Sequence, residues 1–525
     1  MKKPTAKQLL PVGLAALSGV LYFLGFIGFN QFYLEWIAFA PLVVALDGMP
    51  TGRRAFFLSW WMGLCTHLGG YYWIVHLLQT FAYLPLAASV LGYLLLCLFQ
   101  GSQLAVNGWL AWKLSKRTGI PIGFTLPVSL ITVEFAYPLL FPSYTANSQA
   151  WVPLMIQVAE LGGTLLLSGI IALVGGALGE IALARVKGKP FPKAIALAAA
   201  ASFAFVIVWG LVRMPMIDAR DAASPKLKTA IVQANVGAGD KHLRAEAGIR
   251  RFREMTDAVL QAEPNLGLVV WPESALNRTL ALPANLTGSA ATEVKVPMIV
   301  GALRKDNSSP RGSRYWNSLL DVAAGGQVIA AYDKVKLLVF GETLPLYDTI
   351  PGFYHWLLKQ GILPYLSVYD RGTNFDPLPV GPYKLSADIC YEDILPGHIG
   401  DLMRPDAQGK LPNAMVNGTN DSWYGPAEPP IHLALALFRS VEHRRWLVRS
   451  TATGISAFID SNGRLVKKSG FETAETLVQD VPMVSDGRTV YGTIGDVLGW
   501  LALAFSVVAV LQKRWRPSPP APLHS

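Results

Sequence analysis

Between Ala55 and Trp112 the chain carries no Asp, Glu, Lys or Arg. At about 20 residues per crossing of a hydrocarbon core, that run alone accommodates two membrane-spanning helices. Comparable apolar runs predict seven spans in the first part of the chain, near 9–29, 32–46, 55–78, 83–112, 120–141, 152–182 and 194–212, and an eighth near 497–511. Lys2, Lys3 and Lys7 before the first run imitate a signal peptide. Further spans follow it directly and no clean small-residue cleavage site is evident, so it reads as a membrane helix.

From about 213 to 491 the pattern changes. Charged residues return at ordinary density, and short apolar runs at 229–235, 267–271, 297–301, 385–390, 414–417 and 454–459 read as strands. In 245–262, Ile249, Phe252, Met255, Val259 and Leu260 recur at helical spacing. Ser461-Asn462-Gly463 is a turn signal. The alternation predicts a layered α/β or α+β domain. The expected organisation is a membrane domain over 1–218, a second domain over 219–488, and a last membrane helix with its tail over 489–525.

Composition agrees with a membrane protein: 15% of residues are charged, against about a quarter in soluble proteins, and the mean hydropathy is +0.35. The net charge of +10 raises nucleic acid as a partner until the basic residues are placed. Arg53/Arg54 follow the second span, Lys113/Lys116/Arg117 the fourth, Arg185/Lys187/Lys189/Lys193 the sixth and Lys513/Arg514/Arg516 the last. Every second loop is basic, which by the positive-inside rule marks the cytoplasmic side and puts both termini inside and the second domain outside. The charge then reflects topology, and nucleic acid loses its support.

Cys65 and Cys97 fall in predicted spans, which leaves Cys390 as the lone cysteine of the outer domain. It ends a predicted strand and runs into Tyr391-Glu392-Asp393, at a strand end where catalytic residues of α/β folds collect; the alternative is an inert buried thiol. Glu273, after Trp271-Pro272, also ends a strand and suits a general base, or else a helix N-terminal acid. Lys334 and Lys336 precede an apolar run and the Gly341-Glu342 turn, a setting that suits one inward ammonium as well as a basic surface loop. A thiol, a carboxylate and an ammonium together suit nucleophilic acyl chemistry. No His–Glu pair at metal spacing stands out.

The segments Val270-Trp271-Pro272-Glu273-Ser274, Tyr332-Asp333-Lys334 through Phe340-Gly341-Glu342, and Ile389-Cys390-Tyr391-Glu392 resemble the nitrilase superfamily. With Gln233-Ala234-Asn235, Asn420-Asp421-Ser422-Trp423-Tyr424-Gly425 and the surrounding spans, the resemblance extends to its apolipoprotein N-acyltransferase branch and covers nearly the whole chain. It implies an αββα sandwich beside about eight transmembrane helices. It also implies Glu273 as base, Lys334 as oxyanion stabiliser and Cys390 as nucleophile, supported by Glu342, Tyr391 and Glu392. Trp423, Tyr424 and His242 rank lower, as substrate contacts. The implied reaction moves an acyl chain from a phospholipid, through a Cys390 thioester, to the N-terminal amine of a diacylated apolipoprotein. No cofactor or metal is implied, a monomer in a bacterial inner membrane is expected, and the outer domain lies in the periplasm.

Three positions depart from the family pattern: Val339 replaces a Pro, His242 a Trp, and Ala136-Tyr137 follow Glu134-Phe135 where an Arg is expected. Two rivals remain open from the residues alone. One is a membrane-tethered amidase with water as acceptor. The other is a non-enzymatic ligand-binding membrane protein, although intramembrane charges are few: Glu35, Glu134 and Glu160, with His67 and His76.

Overall fold

The computed structural model describes residues 6–512 apart from 81, 238–244, 290–293, 309–312, 340, 345, 348, 361–368, 423 and 486. His242 and Trp423 lie outside the described residues. The chain divides into two compact units, 1–211 with 494–525, and 212–493.

The first unit is helical: α1 (Ala6–Gly25), α2 (Glu35–Leu46), α3 (Gly52–Gly70), α4 (Ile74–Thr80), α5 (Leu86–Thr118), α6 (Ile122–Ala136), α7 (Pro153–Ile156), α8 (Ala159–Val186), α9 (Lys193–Ala223) and a C-terminal helix, Val497–Leu511. Three of them, α5, α8 and α9, are long and apolar enough to cross a membrane by length and composition; 9–25, 32–46, 122–136 and 497–511 are shorter apolar helices. The run expected over 55–78 is broken: α3 ends at Gly70 and α4 begins at Ile74. Glycine permits a close helix contact, because a Cβ on Gly63 of α3 would lie 2.2 Å from the Gly101 carbonyl of α5. Two of the buried acids pair locally, while the carboxylate oxygens of Glu35 meet no hydrogen-bond donor among the described residues. Glu134 accepts from the Thr145 amide at 2.7 Å and its hydroxyl at 2.6 Å, and Glu160 accepts from the Trp209 indole at 3.0 Å.

The second unit is built on two sheets. The first contains β1 (Lys226–Gln233), β2 (Leu268–Val270), β3 (Leu276–Ala281), β4 (Met298–Asp306), β5 (Arg314–Val322), β6 (Val328–Asp333) and β13 (Glu475–Pro482). Its order is β13-β1-β2-β4-β5-β6, with β3 beside β4. The second contains β7 (Leu378–Val380), β8 (Tyr383–Ile389), β9 (Ala414–Thr419), β10 (Leu447–Thr451), β11 (Ala457–Ile459) and β12 (Leu465–Lys468), in the order β12-β11-β10-β9-β8-β7. The centres of both are parallel, β1 to β2 to β4 in one and β8 to β9 to β10 in the other. Buried on both faces, these strands read as continuous apolar runs.

The sheets face each other. The Ser450 hydroxyl of β10 reaches the Val270 carbonyl of β2, and Thr451 donates to Gln233 of β1 at 2.9 Å. Helix α10 (Ala245–Ala262) packs Phe252 and Val259 into the core of the first sheet with Val232, Val269 and Trp271. Helices α11 (Pro351–Lys359), α12 (Pro396–Leu402) and α13 (Pro429–His443) follow, and α12 and α13 flank the second sheet. The unit is a helix–sheet–sheet–helix sandwich in which the carboxyl ends of β2, β6, β8 and β9 come together.

Candidate active site

Glu273 leaves β2 through a tight turn. The Trp271 indole, fully buried, donates to Thr256 of α10 at 2.9 Å and anchors the turn from below. Gly301 of β4 passes so close that a Cβ there would lie 2.2 Å from the Pro272 carbonyl and 2.7 Å from the Glu273 Cα. Only glycine permits that approach.

Lys334 follows β6. Its amide donates to the Asn317 carbonyl of β5 at 2.8 Å, and its side chain is 1% exposed, whereas Lys336 faces outward. The ammonium lies 2.8 Å from Glu342 Oε2 and 3.9 Å from Glu273 Oε1. The Asn317 amide ties the two acids together, donating to Glu273 Oε1 at 2.6 Å and Glu342 Oε1 at 3.0 Å. Glu342 Oε2 also accepts the Leu338 amide at 2.9 Å. Val339 pairs with Thr343 across the Gly341-Glu342 turn, so the turn closes without the expected Pro.

Cys390 ends β8 at φ +55, a left-handed conformation that is costly for a residue with a Cβ and that collects at functional turns. The Asn417 amide of β9 holds its carbonyl at 3.0 Å. Burial first, then the Glu273 carboxylate, push the Cys390 thiol well above its usual value, against the pull of Lys334 and a hydrogen bond with Thr419. Burial opposes the Lys334 charge, but Glu342, Cys390 and Glu273 outweigh it and hold the ammonium well above the ordinary lysine range. Lys334 is therefore a fixed cation and unsuited to accept a proton, and Cys390 rests as a neutral thiol. Counted as ionised, the cluster of Glu273, Glu342 and Lys334 has one carboxylate in excess, so it can take the thiol proton without building up charge.

Tyr391 is half-buried, and its phenol is pushed up to about 12, chiefly by burial. Tyr424 is buried, and burial with the nearby thiol raises its phenol well above normal. Glu392 touches no reacting atom. Its Oε1 accepts the Val335 and Lys336 amides at 2.8 and 2.7 Å, and its Oε2 accepts the Ile389 amide and the Tyr332 hydroxyl at 2.8 Å each. His398 lies 3.3 Å from Oε1. Burial opposes the charge, yet His398, Lys334 and the Lys336 amide keep the carboxyl below its usual range. Glu392 clamps the turn after Lys334 to the turn that carries Cys390.

Asn317, Asn417 and His398 are not singled out in the sequence, and Tyr332 is named there only within a motif. Glu428 and His432 are not singled out either; they stand four residues apart and, with Asp421, bring possible metal-ligand atoms within 4.8 Å of one another. This corrects the expectation that no His–Glu pair has metal spacing. The donor set does not suit a metal, however. Both His432 nitrogens already face carboxylates, Asp393 at 3.0 Å and Asp421 at 3.1 Å, and the Arg449 guanidinium lies between the same two acids.

The two-sheet unit that carries Cys390, Glu273 and Lys334 falls within residues 228–489, which match the model of the carbon-nitrogen hydrolase family. Residues 18–177 match that of the apolipoprotein N-acyltransferase N-terminal domain. Apolipoprotein N-acyltransferase of Bdellovibrio bacteriovorus is 30% identical over 87% of this chain and 85% of its own, and that of Brucella melitensis 30% identical over 96% of each. Among solved structures, Saccharomyces cerevisiae Nit3 of the nitrilase superfamily covers 56% of this chain and 97% of its own, at 18% identity and a TM-score of 0.37. The chain belongs to the apolipoprotein N-acyltransferase family.

Proposed function

We propose that the protein transfers an acyl chain from a membrane phospholipid to the N-terminal amine of the S-diacylglyceryl cysteine of apolipoproteins. Cys390 is the nucleophile. As its sulfur bonds to the ester carbonyl, Glu273 takes the thiol proton and Lys334 stabilises the oxyanion. The intermediate collapses to a thioester with release of a lysophospholipid, which takes up the proton from Glu273. The acceptor amine then attacks the thioester and Glu273 accepts its proton; the carbon–sulfur bond breaks, Glu273 returns the proton to the departing Cys390 sulfur, and the N-acylated product leaves.

The observation that carries the reading is the placement of Lys334, buried and 2.8 Å from Glu342 while still within 3.9 Å of Glu273. Its partner acid fixes the charge, so the ammonium is ready before the oxyanion forms. Tyr391 supports the turn that carries Cys390, and Tyr424 serves as a substrate contact that His242 and Trp423 join from the sequence. About eight spans hold the catalytic unit at the periplasmic surface of the inner membrane, with both termini cytoplasmic, so that two lipid-anchored substrates reach it by lateral diffusion. The protein works as a monomer without a cofactor.

Purified full-length protein incubated with phospholipid vesicles is expected to gain the mass of one acyl chain. The adduct should vanish in Cys390→Ser and discharge on addition of a diacylated lipopeptide. Rapid hydrolysis of small soluble amides with no phospholipid-derived adduct would overturn the reading in favour of water as acceptor.

A further inference from the structure

Next to the Cys390 turn lies a second ionic cluster that the reaction as written does not use. His432 of α13 is 3% exposed and Arg449 of β10 is fully buried. His432 Nε2 faces Asp393 Oδ1 at 3.0 Å and Nδ1 faces Asp421 Oδ1 at 3.1 Å. A neutral ring would turn a lone pair on one of these carboxylates, so the geometry requires both nitrogens to carry protons. Burial and Arg449 oppose the charge, but the two aspartates outweigh them and raise the imidazole to about 10. The Arg449 guanidinium pairs with Asp393 and lies 3.4 Å from Asp421. Two cations thus stand against two carboxylates, while burial pushes the third acid, Glu428, whose Oε1 lies 3.8 Å from Nδ1, up to about 8.

The cluster reaches the nucleophile by two routes. Arg449 donates to Asn417 Oδ1 at 3.1 Å, and the Asn417 amide holds the Cys390 carbonyl. Asp421 meets the thiol directly through its field, raising it. Room for Asp421 is made by Gly454, where a Cβ would lie 2.3 Å from Asp421 Oδ2. Left uncompensated at this position, the carboxylate would oppose every thiolate-like state of Cys390.

We propose that His432 is a positioning residue for acyl transfer, whose imidazolium masks the Asp421 carboxylate from the Cys390 sulfur while Arg449 and Asn417 fix the turn that presents it. The inference rests on Cys390 as nucleophile. The charged groups facing the sulfur are Glu273, Lys334, Asp421 and Arg449, with the phenols of Tyr391 and Tyr424. Those facing His432 are Asp393, Asp421, Glu428 and Arg449. Asp421 and Arg449 face both, and Asp421 is the carboxylate common to the two, which makes it the link to test.

The test follows iodoacetamide alkylation of Cys390 against pH, by intact mass, in full-length protein carrying Cys65→Ala and Cys97→Ala. His432→Gln should raise the midpoint by about one pH unit and slow acyl-adduct formation about tenfold. Asp421→Asn should lower the midpoint, and the double variant should return it towards the parent. A folded His432→Gln protein with an unmoved midpoint overturns the proposal, as does a double variant that fails to reverse the shift. Should His432→Gln not fold, Asp421→Asn alone decides, and an unmoved midpoint counts against masking. Alkylation needs no acyl chemistry. Acyl transfer that survives Cys390→Ala would therefore end the nucleophile assignment, while the midpoints would still report on the masking.

Discussion

Two buried ionic clusters adjoin Cys390, and they are built to different charge balances. The cluster of Glu273, Glu342 and Lys334 holds two carboxylates and one cation, while that of Asp393, Asp421, His432 and Arg449 holds two of each. The first is one proton short of neutrality and can therefore change state during a reaction. With the neighbouring Glu428 carboxyl pushed up to about 8 by burial, the second is balanced near neutral pH, and a balanced set in a low-dielectric interior resists proton transfer. The contrast shows that burial of charge does not by itself mark a reacting group. What distinguishes the proposed reacting cluster is the thiol beside it, which Glu273 raises and Lys334 lowers.

The largest effects should come from upsetting the first cluster. Lys334→Gln leaves Glu273 and Glu342 without their cation, and acyl-adduct formation is expected to fall by about 10²–10³-fold, read by intact mass over time. Gly301→Ala should follow. Its Cβ drives into the Pro272 carbonyl and displaces the Glu273 turn, and a misplacement of about 1 Å costs about 10²-fold in rate; turnover of the lipopeptide checks it, with an unchanged melting curve ruling out unfolding. Glu392→Gln turns an NH2 group towards two of the four donors and should lower stability by about 2–4 kcal/mol, measured by thermal denaturation in detergent.

The smallest effect concerns the balanced cluster and pH. His432 titrates at about 10 in the fold against about 6.5 when exposed. A raised value means that its stabilising contribution is fully present below about pH 6.5 and declines as pH rises through about 10. His432→Gln should flatten the fall in melting temperature across that window. A fall of the same steepness in the variant would show that the ring does not carry the charge.

Both clusters differ in how far the sequence discloses them. The proposed acid and thiol follow β2 and β8, strands buried at their carboxyl ends, so an apolar run that stops at Glu273 or Cys390 points to them. Helix α10 occupies the span expected from its apolar spacing. Which lysine turns inward is decided only in the fold, where the Lys334 backbone is fixed by Asn317 and the Lys336 amide is taken by Glu392. Arg449 lies within Leu-Val-Arg-Ser-Thr and His432 within a largely apolar helix. Their partners come from β9 and the Cys390 turn, and no local periodicity encodes such long-range pairing. The first unit was legible in hydropathy but less so in helix ends: the break between Gly70 and Ile74 falls inside an unbroken apolar run.

Glu392 illustrates a wider difficulty in reading genetic data. A screen for inactive variants would return Glu392 beside Cys390, and its position two residues away would invite a chemical role. Yet its four hydrogen bonds join turns contributed by separate sheets, so it behaves as a rivet between two plates. Loss of a rivet and loss of a reagent look alike in a growth assay, and only a measurement that separates assembly from turnover tells them apart.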